Sequence, residues 1–357
     1  MSASPLLRMA QDSPTCLWND SADPNELAES IGWGAVGATC NPVIALTALK
    51  ADPQGWAARI RAYAAEHPTQ TEDQIGWAMV KQLSVDAAKL LEPAFEKYQG
   101  VNGRLSIQTD PRYYRDTNAL IEQATQFASL APNMIVKIPV TAAGVEAFEE
   151  VTYRGVSINA TVSFTVAQAV AVAEAVERGL RRREAEGLDI SRMGPVCTIM
   201  VGRTDDWMRA SAEKEQITVD PGITEWAGVA VFKKAYGIYQ ERGYRTRLLS
   251  AAFRNHMHWS QFIGGNVVIS PPFGWQKRIN ASGIEPSHRL EVPVDARIVE
   301  DLYDNFGEFR KAYDEDGLAP ADFTAYGATA RTLRQFLAAN NELESFVRDV
   351  TVPNPDK

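Results

Sequence analysis

MIVKIPVT, residues 134–141, reads as a buried β-strand, a nearly continuous apolar and β-branched run closed by Pro139. Lys137 does not fit that pattern. An ammonium inside an apolar strand carries a large desolvation penalty unless it is paired or gives up its proton. The strand therefore asks what encloses it and what its lysine does.

Similar short runs recur outward from it: TCLWND (15–20), GAVGATC (34–40), RLSIQTD (104–110), GVSINAT (155–161), PVCTIMVG (195–202), TRLLSAA (246–252) and NVVIS (266–270), eight in all with the first. Between them lie amphipathic helical patterns at 51–68, 116–130, 141–153, 164–186 and 224–243. Strands alternating with helices imply a parallel sheet, and eight such units fit an α/β fold of the (β/α)8 TIM barrel type. The 357 residues exceed the roughly 250 of a minimal barrel, so additional helices are expected. The expectation is one domain over 1–357, with the barrel core at about 14–275, an extra helix within 71–99 and a helical C-terminal extension at about 290–350, its helices near 295–316 and 322–350. The Pro- and Gly-containing stretch 271–288 reads as a loop after the last strand.

A doubly wound open sheet would show the same alternation. The polar residues favour the barrel. Asp20, Thr39 with Asn41, Gln108 with Asp110, Lys137, Asn159 with Thr161, Thr198 with Arg203, and Arg254 stand at or beyond the C-terminal ends of different strands. Convergence of polar groups from many strand ends on one face is how barrel active sites are built.

The net charge of −9 repels nucleic acid and anionic membranes, so any anionic ligand must be held by local positive charge. No apolar run reaches bilayer length, and MSASPLLRMAQDSPT lacks a signal-peptide core. Cys16, Cys40 and Cys197 are odd in number and sit among apolar residues, which points to reduced buried thiols and a cytoplasmic location. GWGAVG (32–37) has dinucleotide-motif spacing but leads into a strand instead of leaving one. HMH (256–258) does not share a helix face, and four histidines without a spaced cysteine cluster argue against zinc. RRRE (181–184) suits the end of a solvated helix.

A desolvated lysine holds free amine near neutral pH, and free amine attacks carbonyls to give Schiff bases. A lysine snorkelling to the rim is the bland alternative. Asp20, Asn41, Asn159 and Thr161 could hydrogen-bond sugar hydroxyls, while Arg203 and Arg254 offer forks for a phosphate. Each also has an ordinary reading: Asn41 before Pro42 is turn chemistry, and Asp20 ahead of SADPNEL could cap a helix.

NDSAD, GATCNPVIAL, RLSIQTD, IVKIPVTAAGVEA, INATVSFTVAQA, MVGRTDDW, DPG and AAFRN occur in an order that resembles the transaldolase family of class I aldolases, over roughly 14–275. The resemblance implies a (β/α)8 barrel that transfers a dihydroxyacetone unit between phosphorylated sugars, with no metal or organic cofactor. It implies Lys137 as the Schiff-base lysine and Asp20 as the acid/base group. By the same resemblance Thr39 and Asn41 match a motif of the substrate site, Asn159 and Thr161 match the residues that contact the bound unit and the catalytic water, and Arg203 and Arg254 match phosphate-binding arginines; Thr198, from its place at a strand end, is a further candidate for substrate binding. Such barrels commonly assemble, so a homo-oligomer is compatible with it.

The chain departs from that pattern at three places. Gln108 stands where typical transaldolases have a glutamate, and an amide does not take and return a proton. Fructose-6-phosphate aldolases also have glutamine there but supply a tyrosine from the sixth strand, where this chain has Met200. Ala252 stands where a serine often assists phosphate binding. Three readings follow: a transaldolase-type transferase, a fructose-6-phosphate aldolase-like enzyme, and a sugar-phosphate-binding homologue without turnover. Proton transfer would fall more heavily on Asp20, or on a tyrosine from elsewhere such as Tyr153.

Overall fold

The computed structural model describes residues 3–220 and 222–356. Eight parallel strands close into a barrel in sequence order: β1 (Cys16–Asn19), β2 (Ala35–Thr39), β3 (Arg104–Gln108), β4 (Met134–Pro139), β5 (Ile158–Ser163), β6 (Val196–Ile199), β7 (Arg247–Ala251) and β8 (Val268–Ser270). Strand β8 pairs back onto β1 through Cys16 with Val268 and Leu17 with Ile269. All eight apolar runs are strands, and the closed barrel replaces the open-sheet alternative.

Side chains alternate across each strand, so one set faces the surrounding helices and the other the barrel interior. Trp18, Ile135, Val196, Leu249, Ala251 and Val268 form a separate small cluster inside the barrel. Gly37 of β2 makes room for it, since a Cβ there would lie 2.5 Å from the Trp18 indole. Two residues beyond Ile135, with the same parity, comes Lys137. The apolar layer thus sits below the lysine, and the C-terminal half of the interior is polar.

The βα turns begin helices with side-chain caps that satisfy free backbone N–H groups. Asn41 Oδ1 accepts from Ile44 N–H at 2.9 Å to open the helix Pro42–Ala51. Asp23, not Asp20, caps Pro24–Gly32 by accepting from Asn25 and Glu26 N–H, which leaves the Asp20 carboxylate for the barrel mouth. Thr141 opens Ala142–Tyr153 in the same way, accepting from Gly144 N–H at 3.1 Å.

The stretch 271–288 is not wholly a loop, because Phe273–Ala281 is a helix. Its buried Gln276 fixes it, donating to Asn19 Oδ1 at 2.6 Å and to the Pro271 carbonyl while accepting from Ser30 Oγ. Phe273 also stacks on Trp33. These anchors lie far off in sequence, so the Pro and Gly residues dominated the local reading. The expected segment 71–99 holds the helix Glu72–Lys97. Segment 295–316 divides into Ala296–Asn305 and Gly307–Tyr313, and 322–350 holds a short 3-10 turn followed by the helix Gly327–Thr351. That last helix returns to pack against Pro42–Ala51, Pro53–Glu66 and Glu72–Lys97.

Candidate functional site

Gln108, Lys137 and Asn159 are register partners on β3, β4 and β5, so their side chains stand side by side on the same face of the sheet. Lys137 is only 5% exposed. Burial lowers its pKa below the ordinary lysine value; Asp20 and Cys40 oppose that shift and Arg203 adds to it. No hydrogen bond figures among these influences. Desolvation favours the free amine, while the Asp20 carboxylate partly opposes it by favouring the ammonium.

Asp20 lies just past β1 and is partly exposed. Its Oδ1 accepts a hydrogen bond from the buried Thr39 hydroxyl, which orients the carboxylate. A polar chain crosses the interior beside it: Thr198 Oγ1 donates to Asn159 Oδ1 at 2.7 Å, and Asn159 Nδ2 donates to Ser106 Oγ at 3.1 Å. Gln108 Oε1, Thr161 Oγ1 and Ser270 Oγ are buried without a protein partner among the described residues. Several unpartnered buried oxygens on one side of a barrel are unusual in a merely structural core, where almost every such atom is bonded.

The backbone beside these groups is strained. Val162, between Thr161 and Ser163, has φ +56°, and the register of β5 with β6 shifts there. Ala252, just past β7, has φ +62°. A β-branched residue with positive φ is rare, and such strain is found where the surroundings impose it.

Next to this chamber is a cavity of about 880 Å³ whose walls include Arg203, Asp206, Arg209, Arg254, Arg331 and Thr332. Lys137, Asp20 and Gln108 do not line it. Arg203 connects the two spaces: its guanidinium lines the cavity while its charge acts on both Lys137 and Asp20. Arg203 Nη1 donates to Thr332 Oγ1 at 3.1 Å, the group lies over the Phe336 ring, and its buried Nε has no partner among the described residues. Burial, then Arg254, lowers its pKa. Arg254 is exposed, with Nη2 2.7 Å from Asp206 Oδ2. Burial alone would raise the Asp206 carboxyl, but hydrogen bonds from Arg254 and Arg209 hold it below the ordinary value.

The structure thus brings Asp20, Thr39, Gln108, Lys137, Asn159, Thr161 and Thr198 to the C-terminal half of the barrel, with Arg203 and Arg254 at the adjoining cavity. Asn41 borders this group, but its Oδ1 is committed to the helix cap. Tyr153 is elsewhere. It ends the helix that runs back from β4, and its hydroxyl bonds Glu186. Met200 is buried at the end of β6 and has no group to exchange a proton. Sequence reading did not find Thr332, Phe336 or Asp206, and no local pattern marks them. Of the cysteines, Cys40 and Cys197 are buried and Cys16 is partly exposed, and all three are free. Pro221 of the DPG motif lies outside the described residues.

Among the described residues no helix is long and apolar enough to cross a membrane, and no cluster of His, Cys, Asp or Glu could hold a metal ion. Residues 17–343 match the family model described as Transaldolase/Fructose-6-phosphate aldolase. The chain is 35% identical over 229 residues to a transaldolase of Thiobacillus denitrificans, which covers 63% of this chain and 62% of that protein. It is 31% identical over 255 residues to a transaldolase of Mycolicibacterium smegmatis, with 68% and 66% covered. A protein named transaldolase 2 from Streptomyces avermitilis is 33% identical over 208 residues, with 57% and 55% covered. The matches therefore span less than two thirds of the length of each of these relatives. With the family model matching nearly the whole barrel and the helices after it, this chain belongs to the transaldolase/fructose-6-phosphate aldolase family.

Proposed function

We propose that the protein transfers a dihydroxyacetone unit between phosphorylated sugars through a Schiff base on Lys137. The observation that carries this reading is the desolvated amine of Lys137, without a hydrogen bond among the described residues, beside Gln108 and Asn159 in the sheet and in the field of Asp20. The amine adds to the ketose carbonyl, and loss of water from the adduct gives an iminium. Thr161 and Gln108, whose oxygens have no protein partner among the described residues, suit the binding of that water.

Asp20 then takes the proton of the hydroxyl beyond the breaking bond. The bond between the first and second carbons beyond the former carbonyl carbon opens, its electron pair forms the double bond of an enamine as the iminium nitrogen takes up its charge, and the aldose leaves. Addition of the enamine to an acceptor aldehyde, with Asp20 returning the proton, followed by hydrolysis, completes the transfer. Thr39 orients Asp20 through its hydroxyl. Asn159, Thr198 and Asn41 are assigned to the sugar hydroxyls, and Arg203 and Arg254 to the phosphate, which suits guanidinium forks.

Gln108 favours a second reading. Without a carboxylate at this position the enamine could be protonated and hydrolysed to free dihydroxyacetone, which is aldolase chemistry. Assay of fructose 6-phosphate with and without erythrose 4-phosphate separates the two. Release of glyceraldehyde 3-phosphate that stops at about one equivalent per site unless the acceptor is present supports transfer, and equal continuous release with free dihydroxyacetone supports the aldolase. Saturable binding with neither product would leave a sugar-phosphate-binding homologue and sink both.

A further inference from the structure

Asp205 and His258 are fully buried and take no part in the chemistry proposed above. Their hydrogen bonds run in one direction. Arg254 N–H donates to His258 Nδ1 at 3.0 Å, so that nitrogen is the acceptor and the ring hydrogen lies on Nε2. His258 Nε2 is 2.8 Å from Asp205 Oδ2, and Asp205 Oδ1 accepts from Gly228 N–H at 2.8 Å. Ser250 Oγ holds the His258 carbonyl at 3.0 Å. The pair therefore ties the backbone of Arg254 to the first turn of the helix Ala227–Arg242.

The tied segment needs outside support. It begins at Ala252, with its left-handed backbone, and ends in an exposed arginine whose carboxylate partner among the described residues is Asp206. Asp205 and Asp206 are neighbours on the helix Val201–Glu215, which also carries Arg203. One helical turn thus presents Arg203 to the cavity, Asp206 to the Arg254 guanidinium and Asp205 to the histidine that fixes the Arg254 backbone. Pure stability is a weak reason for this arrangement, because burying a carboxylate costs desolvation that its hydrogen bonds to a neutral imidazole and one N–H offset only in part.

We infer that His258 and Asp205 are positioning residues that set Arg254 for the anionic end of the ligand, a phosphate monoester or inorganic phosphate. This rests on the assignment of Arg203 and Arg254 to the phosphate. Asparagine and glutamine at position 258 separate the two bonds of the histidine, since asparagine places an acceptor near the Nδ1 position and glutamine a donor near the Nε2 position.

The test measures inorganic phosphate binding by calorimetry, kcat and KM for fructose 6-phosphate, and thermal midpoint, on the full chain. His258→Asn is expected to keep the Arg254 bond and bind phosphate within about twofold of wild type. His258→Gln is expected to leave the Arg254 N–H unpaired and weaken phosphate, with a matching rise in KM, about tenfold at little change in kcat. Asp205→Asn reverses the favoured histidine tautomer by presenting a donor, and should resemble His258→Gln in phosphate binding. Equal weakening in His258→Asn and His258→Gln, or weakening that simply follows the loss of thermal midpoint, would overturn the inference, as would wild-type protein that does not bind phosphate. Lys137 trapping with dihydroxyacetone, which carries no phosphate, reports separately on the Schiff-base reading.

Discussion

The two ends of this barrel bury cations in different ways. At the N-terminal end Arg104 and Arg247 begin β3 and β7 and are nearly inaccessible. Arg104 donates to the Gly100, Met134 and Arg192 carbonyls, and Arg247 to the Val101 carbonyl and Asn102 Oδ1. Lys137, in the C-terminal half, has no such partner among the described residues. Burial depresses the pKa of all three. A guanidinium starts so high that it stays charged and serves as a fixed staple, whereas an ammonium starts near enough to neutrality for the same penalty to release free amine. Residue type and hydrogen bonding, not burial alone, separate a structural cation from a reactive one.

Substitutions at the two ends should therefore fail differently. Lys137→Met removes the nucleophile and is expected to lower turnover by about four orders of magnitude or more, as loss of a covalent catalyst does, while the protein stays folded. Steady-state assay beside circular dichroism checks it, and residual activity near wild type would erase the distinction. Arg104→Met should do the reverse, costing about 3 kcal/mol by stranding carbonyls that the guanidinium satisfies, with kcat little changed in protein that folds. Chemical denaturation paired with kcat reads both quantities.

Gln108→Glu sharpens the reactive end. A carboxylate beside Lys137 can carry the proton that the amide cannot, so formation of the Schiff base should accelerate about tenfold, within the usual range for acid/base assistance. Stopped-flow trapping would show it; an unchanged rate would mean Asp20 already handles that proton. The smallest effect concerns pH and stability. Because folding lowers the Lys137 pKa, the unfolded chain binds the extra proton between the lowered folded value and the ordinary lysine value, so this residue makes stability rise with pH across that window. Wild type should thus gain on Lys137→Met in thermal midpoint as pH rises from 7 towards 10. Parallel profiles for the two proteins would show that the amine is not perturbed.

Much of this was legible in the sequence because it depends on local pattern. The strands announce themselves as apolar runs, and Lys137 is conspicuous because it interrupts one. Strand parity then carries Asp20, Gln108, Asn159 and Thr198 inward together once the sheet closes. What was hidden depends on contacts between distant segments. Thr332 reaches Arg203 across 129 positions. Gln276 turns an apparent loop into a docked helix through Asn19, 257 positions away. His258 read only as half of a failed metal pair, because its partner Asp205 is 53 positions back on another element. Asp20 as a helix cap was a fair local alternative, and Asp23 three positions on turned out to fill that role.

The central claim is that Lys137 carries the carbon skeleton of the substrate. The most direct measurement is borohydride reduction of the protein with fructose 6-phosphate, followed by peptide mapping by mass spectrometry, with Lys137→Met as control. A reduced three-carbon adduct on the Lys137 peptide, absent from the variant, is the predicted result. An adduct on another lysine, or none from this sugar or a panel of ketose phosphates in protein that still binds phosphate, would contradict the account.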